Sequence, residues 1–354
     1  MWARIPANAG PARYSLSESI GSIRVQAAGS VVPTTEKIAG LIVDDLARVE
    51  GMFRENLASP VKIVEEIGGF VGASGGKRIR PTLHLLTAQL CGYRGSHHIL
   101  LATVLEFIHT ATLIHDDIID GARTRRGRTS ANRRWGNSTT VLFGDYLFAK
   151  AMEMALGVGR LEVMERLADV TLRMTEGEML QTRYVGRLDL SEAEYLDLVE
   201  RKTAALFGCC CELAGLVSGV DETRLAALKN YGTDLGMAFQ LVDDLLDFTG
   251  DAVTMGKPAA SDLREGKATL AVLDLMSSGS VEATDLARSV IEHGDAGVIA
   301  RLTDLLHEHG AIERSRRRAR RFVENAVRQL DDFDPGPAYE ALVGMPELLL
   351  SRDR

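Results

Sequence analysis

The stretch LEFIHTATLIHDDIID, residues 105–120, decides the fold class of this chain. Leu105, Ile108, Ala111, Ile114 and Ile118 recur at three- and four-residue spacing, the period of an α-helix rather than the alternation of a strand. The apolar run nevertheless ends in Asp116, Asp117 and Asp120, where solvated charge is not expected. On a helix Asp116 and Asp120 stand one above the other, with Asp117 turned about 100° aside. At roughly 6 Å and an effective dielectric near 20, two such charges repel by about 3 kcal/mol. The arrangement calls for cations or raised pKa values. Mg²⁺ suits it, because that ion takes oxygen ligands and shares one or two carboxylates with substrate phosphates. A calcium loop would need alternating ligands, a central Gly and a terminal Glu, which are missing. A His-Asp metallohydrolase centred on His115 and Asp116 leaves the rest of the pattern unexplained.

Working outward, MAFQLVDDLLDFTGD, residues 237–251, repeats the pattern with Asp243, Asp244 and Asp247, and Gln240 lies three residues upstream. Two Asp-Asp-x-x-Asp triads in matching apolar contexts, facing each other in a bundle, would make one polynuclear metal site. From about residue 36 the chain reads as helices near 36–56, 81–92, 97–120, 138–157, 161–184, 191–218, 222–248, 269–277, 283–291, 296–308 and 310–331, separated by short Gly- or Pro-containing turns. No Gly/Ser-rich linker divides them, so an all-α single helical bundle over 36–354 is expected. Residues 1–35, rich in Ala, Gly, Ser and Pro, read as a disordered tail, with an organelle-targeting peptide as the sharper alternative.

The 354 residues are 45% hydrophobic and 25% charged, an ordinary globular composition, and the net charge of −8 disfavours nucleic acid as a partner. No uninterrupted apolar run approaches the roughly 18 residues that span a bilayer, so a soluble, cytoplasmic protein is expected. Cys209, Cys210 and Cys211 are consecutive and would point about 100° apart on a helix, a pattern for packing rather than metal binding. RSRRRARR, residues 314–321, could meet nucleic acid or an anionic membrane. Flanking Glu313 and Glu324 and the stripe of Ile312, Ala319, Phe322 and Val323 favour a solvated helix face.

Positive residues accompany the triads: Lys77, Arg78 and Arg80 in GGKRIRP, Arg125 and Arg126 after the first, Lys257 and Lys267 after the second. Arg forks grip phosphate oxygens, Lys acts as a point charge, and Gly75 and Gly76 let a backbone approach a ligand closely. GGKRIRP, HTATLIHDDIID with RRG, KTA, QLVDDLLDFTGD, GKP and EGKATL, in this order over roughly residues 40–350, resemble the trans-isoprenyl diphosphate synthase family. Within the family the chain resembles the long-chain octaprenyl type. The resemblance implies an all-α isoprenoid-synthase bundle around a central cavity, active as a homodimer. It also implies two or three Mg²⁺ held by Asp116, Asp117, Asp120, Asp243, Asp244 and Asp247, isopentenyl diphosphate at Gly76, Lys77, Arg80, His109 and Arg126, and the allylic diphosphate at Arg125, Lys202, Thr203, Gln240, Lys257 and Lys267. Lys202 and Arg125 join the acidic residues as catalytic groups. One departure is Ala271, where the family commonly has Pro after EGKxTL.

The reaction so implied joins isopentenyl diphosphate to an allylic diphosphate. Product length depends on how far the growing chain descends before a bulky side chain stops it. Thr112, about 6 Å deeper along the helix than Asp116, and Ala111 beside it are small, where short-chain relatives carry aromatic floors. The expected products are therefore hexaprenyl to decaprenyl, with geranylgeranyl or farnesyl diphosphate as the alternative. Such products are insoluble in water, which suggests loose membrane contact. A non-catalytic partner subunit usually has eroded acidic motifs, and a terpene cyclase has no need of GGKRIRP.

Overall fold

Amphipathic segments without strand alternation can bury their apolar stripes only against one another. The structure, a computed structural model, describes residues 35–73, 76–125, 127–250 and 259–350, and these are almost entirely helical. In chain order the helices begin with α1 (Thr35–Leu57), α2 (Lys62–Gly72), α3 (Ile79–Leu90) and α4 (His97–Ile119). A two-residue antiparallel hairpin, β1 (Thr124–Arg125) with β2 (Arg128–Thr129), precedes α5 (Ala131–Trp135), α6 (Asn137–Leu156) and α7 (Leu161–Tyr184). Then come α8 (Glu192–Val199), a π-helical turn (Glu200–Ala204), α9 (Ala205–Ser218) and α10 (Glu222–Thr249). The C-terminal third holds α11 (Ser261–Arg264), α12 (Leu270–Ser277), α13 (Val281–His293), α14 (Ile299–Glu308), α15 (Ala311–Arg328) and α16 (Pro337–Leu350).

Helix α4 is at the centre. It packs against α1, α3, α5, α6 and α9, and Leu101, Val104, Leu105, Phe107 and Ile108 are wholly buried. By length and composition it could cross a membrane, but two-thirds of that stretch is buried inside the protein. Its apolarity is that of a core helix. Helix α9 touches both α4 and α10, so it forms a wall shared by the helices that carry the two triads.

The α9–α10 contact is close because glycines line it. A Cβ on Gly232 would sit 2.4 Å from the Phe207 carbonyl oxygen, and one on Gly236 would sit 2.6 Å from Ala204 Cα. Cys209, Cys210 and Cys211 are buried in the same helix with free thiols, and burial raises the pKa of each.

Three expectations need correction. The segment 191–218 is not one helix: a π turn at Glu200–Ala204 interrupts it. Helix α2 was missed because Gly68, Gly69 and Gly72 lower its propensity, although Gly68 packs directly on Leu57. Helix α16 was missed because Pro346 looks like a breaker, whereas Ala341, Leu342 and Met345 are buried against the bundle. Ala271, in place of the family's Pro, is buried in the first turn of α12, where a missing N–H would cost little. The tail read over residues 1–35 lies outside the described residues, apart from Thr35, which already opens α1.

Gly232→Ala forces a methyl group against a carbonyl oxygen that cannot rotate away, so α9 and α10 must part. The overpacking cost of about 1–3 kcal/mol should lower the thermal midpoint by several degrees. An unchanged midpoint in a calorimetric scan would show that the contact yields freely.

Candidate active site

The two triads sit at the C-terminal ends of α4 and α10. On α4, Asp116 is held among low-dielectric surroundings, and burial pushes its carboxyl up to about 6 even though the nearby Lys202 charge acts the other way. Asp117 turns aside, as helical geometry requires, and accepts a 2.8 Å hydrogen bond from Arg125 Nε on β1. Asp120 accepts a 2.9 Å hydrogen bond from Lys267 Nζ, which also donates to Glu265 at 2.8 Å. Burial opposes the charge on Lys267, but these two carboxylates outweigh it and hold its pKa above the ordinary lysine value.

On α10, Asp244 is the buried centre of a chain of hydrogen bonds. Thr203 Oγ1 donates to Gln240 Oε1 at 3.0 Å, Gln240 Nε2 donates to Asp244 Oδ1 at 2.7 Å, and the Tyr195 hydroxyl donates to Asp244 Oδ2. Burial raises the Asp244 carboxyl to about 6 despite these donors. Asp247 is buried, and its Oδ2 accepts from the Asp262 backbone N–H at 3.0 Å, tying the returning chain to the end of α10. Asp243 is only half-buried.

A cavity of about 170 Å³ joins these elements. Lys202, Thr203, Gln240, Asp244 and Lys267 all line it. Lys267 lines the same space as Asp244 and bonds Asp120, so it links the two triads, whereas Asp117 and Arg125 line a separate cavity. The π turn matters here: it takes an extra residue into the helix and presents both Lys202 and Thr203 to the cavity, Lys202 paired with Glu178 at 2.6 Å. Gly177 leaves room for that turn, since a Cβ there would lie 2.7 Å from the Lys202 backbone nitrogen.

A second basic group lies at the start of α3. Arg78 adopts a left-handed backbone (φ 48°) and bonds Glu50 and Glu106. Burial works against its charge, but the two acids more than offset it and raise its pKa. Arg78 therefore braces the loop and releases Arg80 inward. Arg80 Nη1 lies 3.0 Å from His109 Nε2, and its guanidinium stacks 4.8 Å from the Phe207 ring centre. Burial lowers the Arg80 pKa from its usual value. Arg has only donors, so in this contact His109 Nε2 is the acceptor. Lys77 is exposed and Gly76 half-buried at the loop tip. Thr112 is half-buried and donates to the His109 carbonyl at 2.8 Å, while Ala111 is wholly buried in the main core. Arg126 and Lys257 lie outside the described residues.

Sequence reasoning passed over Tyr195, Glu178 and Asp262, which have no motif of their own. Only the polar ends of otherwise ordinary amphipathic helices could have pointed to them. No three acidic, His or Cys side chains among the described residues close a cage by themselves. Six carboxylates on two helices, two of them held above their usual pKa by burial, are nonetheless the hard oxygen donors Mg²⁺ takes when phosphate completes its shell. The donor set fits that ion.

Fold and site together define an all-helical scaffold built around a cleft that pairs desolvated carboxylates with fixed cations. The chain belongs to the polyprenyl synthetase family, whose sequence profile matches residues 61–306. It is 37% identical to the octaprenyl diphosphate synthase of Escherichia coli (strain K12), over 90% of this chain and 99% of that one. It is 34% identical to the geranyl-diphosphate-specific all-trans-nonaprenyl-diphosphate synthase of Rhodobacter capsulatus, over 90% and 98%. Among solved structures, a decaprenyl diphosphate synthase from Rhodobacter capsulatus superposes with a TM-score of 0.84 at 37% identity, covering 90% of this chain and 99% of that one. A polyprenyl synthase from Caulobacter crescentus CB15, solved with calcium and isoprenyl diphosphate, gives 0.87 at 34% identity, covering 92% and 100%.

The raised Asp116 pKa has a sign that can be measured. Folding an ionised Asp116 costs free energy above about pH 6, whereas below about pH 4 the group is protonated in both folded and unfolded chains and the cost vanishes. Without divalent ions, Asp116→Asn should therefore melt above the wild type at pH 8, and the gap should close as the pH falls below 4. A constant gap across that range would contradict the desolvation of this carboxylate.

Proposed function

We propose that the chain is a Mg²⁺-dependent prenyltransferase that adds isopentenyl diphosphate repeatedly to an allylic diphosphate, making all-trans products of hexaprenyl to decaprenyl length. The observation that supports this reading is the link that Lys267 makes between the two acidic triads, bonding Asp120 while lining the cavity of Asp244, Gln240 and Lys202. The octaprenyl, nonaprenyl and decaprenyl names among its relatives support the long products.

In this reading Asp116, Asp117, Asp120, Asp243, Asp244 and Asp247 would hold two or three Mg²⁺, which when bound neutralise a diphosphate and make it a better leaving group. Lys202, Lys267 and Arg125 face the allylic diphosphate and take up the charge that develops as its bond to the prenyl carbon breaks. Thr203 and Gln240 orient it, and Lys257 joins them. The isopentenyl diphosphate is held by Lys77, Arg80, His109 and Arg126, with Gly76 admitting its phosphates. His109 and Arg80 lie 3.0 Å apart, so the second substrate meets groups already in position. The isopentenyl double bond attacks the allylic cation, a carbon–carbon bond forms, and a proton leaves for the departing diphosphate. The cleft supplies apolar walls beside the cation, among them Leu190, Leu198 and Val199.

Exposed apolar side chains on α6 and α7, Leu142, Leu172 and Met179, support a homodimer through that face. A water-insoluble product would bring a cytoplasmic enzyme into loose contact with membranes.

Incubation of the purified protein with Mg²⁺, isopentenyl diphosphate and farnesyl diphosphate should give products of thirty to fifty carbons, about six to ten isoprene units. Asp116→Ala and Asp243→Ala should each lower turnover by about 10²-fold or more with the circular dichroism spectrum retained. Near-wild-type turnover in either would remove the assignment. Thr112→Phe and Ala111→Phe should shorten the product, and an unchanged chain-length distribution in both would refute the floor.

A further inference from the structure

Three polar side chains within nine positions of one another line the cavity at the second triad. Tyr195 is on α8, Lys202 and Thr203 are on the π turn that follows it, and all three share the cavity with Asp244 and Gln240. Lys202 and Thr203 face the allylic diphosphate in the reading above, whereas Tyr195 has been given no part. Tyr195 is 3% exposed, and its ring belongs to the apolar cluster of Leu241, Val242 and Leu270, so packing fixes where the hydroxyl can reach.

That hydroxyl donates to Asp244 Oδ2, while Gln240 Nε2 donates to Asp244 Oδ1 at 2.7 Å. A carboxylate with a donor on each oxygen cannot turn about its Cβ–Cγ bond without breaking one of the two bonds. Each oxygen still keeps a lone pair for a further partner. Asp244 is 8% exposed, so water is a poor replacement for a lost donor. The two donors differ in origin. Gln240 stands one turn before Asp244 on α10 and ties the acid only to its own helix. Tyr195 comes from α8 and ties it to the segment that carries Lys202 and Thr203. Through this bond the carboxylate that would meet the metal and the groups that would meet the diphosphate are fixed relative to one another.

We propose that Tyr195 is a positioning residue for the second triad, its hydroxyl holding Asp244 in the orientation that offers the remaining lone pairs to a divalent cation. The proposal rests on the reading of Asp244 as a Mg²⁺ ligand. Tyr195 acts through that carboxylate and touches neither substrate nor reacting atoms.

Tyr195→Phe removes one oxygen atom and leaves the packed ring in place. With Mn²⁺ as the probe and inorganic pyrophosphate present, the free-ion electron paramagnetic resonance signal reports binding to the full-length protein. The Mn²⁺ concentration for half-saturation should rise about tenfold or more in Tyr195→Phe, as is typical when a ligand loses its hydrogen-bond partner. Tyr231 is the control: it is also buried, lies on the same helix as Asp244, and donates to the Leu342 carbonyl at 2.7 Å. Tyr231→Phe should lower the thermal midpoint and leave Mn²⁺ binding unchanged. Added to Asp244→Asn, Tyr195→Phe should cause no further loss of binding, because its effect runs through that carboxylate. In turnover, Tyr195→Phe should need correspondingly more Mg²⁺ and return to within about twofold of wild type at saturation, whereas general loosening lowers the rate at every Mg²⁺ concentration. Wild-type Mn²⁺ affinity in Tyr195→Phe, an equal loss in Tyr231→Phe, or additive losses in the double variant would each overturn the proposal. If Asp244→Asn weakens Mn²⁺ binding and Tyr195→Phe does not, the proposal alone falls. If Asp244→Asn itself binds Mn²⁺ like the wild type, the reading of Asp244 as a ligand falls and the proposal with it.

Discussion

The structure depends on carboxylates taken out of water inside apolar helices. Asp116 and Asp244 are both held ionisable at about pH 6 by burial rather than by any single neighbour. A protein does not accept that cost without a cation to answer it. The internal cations Arg125, Lys202 and Lys267 answer it in part, each tied to a specific acid. What they leave over is a surplus of oxygen donors on the two triads, the electrostatic setting in which hard divalent ions and diphosphate bind each other.

Packing converts that electrostatic arrangement into fixed geometry. Helix α9 lies against α10 through Gly232 and Gly236, with backbone almost touching backbone. That approach lets Thr203 reach Gln240, and Gln240 reach Asp244, in bonds of 3.0 and 2.7 Å. The Arg78 bridge to Glu50 and Glu106 plays the corresponding part at the other end of the site, holding a left-handed residue so that Arg80 turns inward to His109. In both places a structural contact fixes the direction of a polar side chain.

The sequence announced the long helices well, because their apolar stripes recur over many turns. The ends of α7 fell where the pattern stopped, and the triads stood out because acids interrupt those stripes. Local chemistry without a period was harder to read. Helix α2 hides behind three glycines, and the π turn at Glu200–Ala204 leaves no compositional trace, since its residues would serve equally well in an α-helix. Tyr195 and Glu178 could not be singled out, because their importance comes from partners 49 and 24 positions away rather than from neighbours in the chain.

The π turn also acts as a phase shift. Tyr195 and Phe207 are twelve positions apart, which an unbroken α-helix would separate by about 120° around its axis. Spending one extra residue between them brings that angle back to about 20°, and both rings are buried, one bonded to an acidic triad and the other beneath Arg80. The bulge thus synchronises two helical segments that would otherwise face different directions. Insertions and deletions in this stretch are consequently not interchangeable with those in the surface loops: a single lost residue would put one ring out of step with the other.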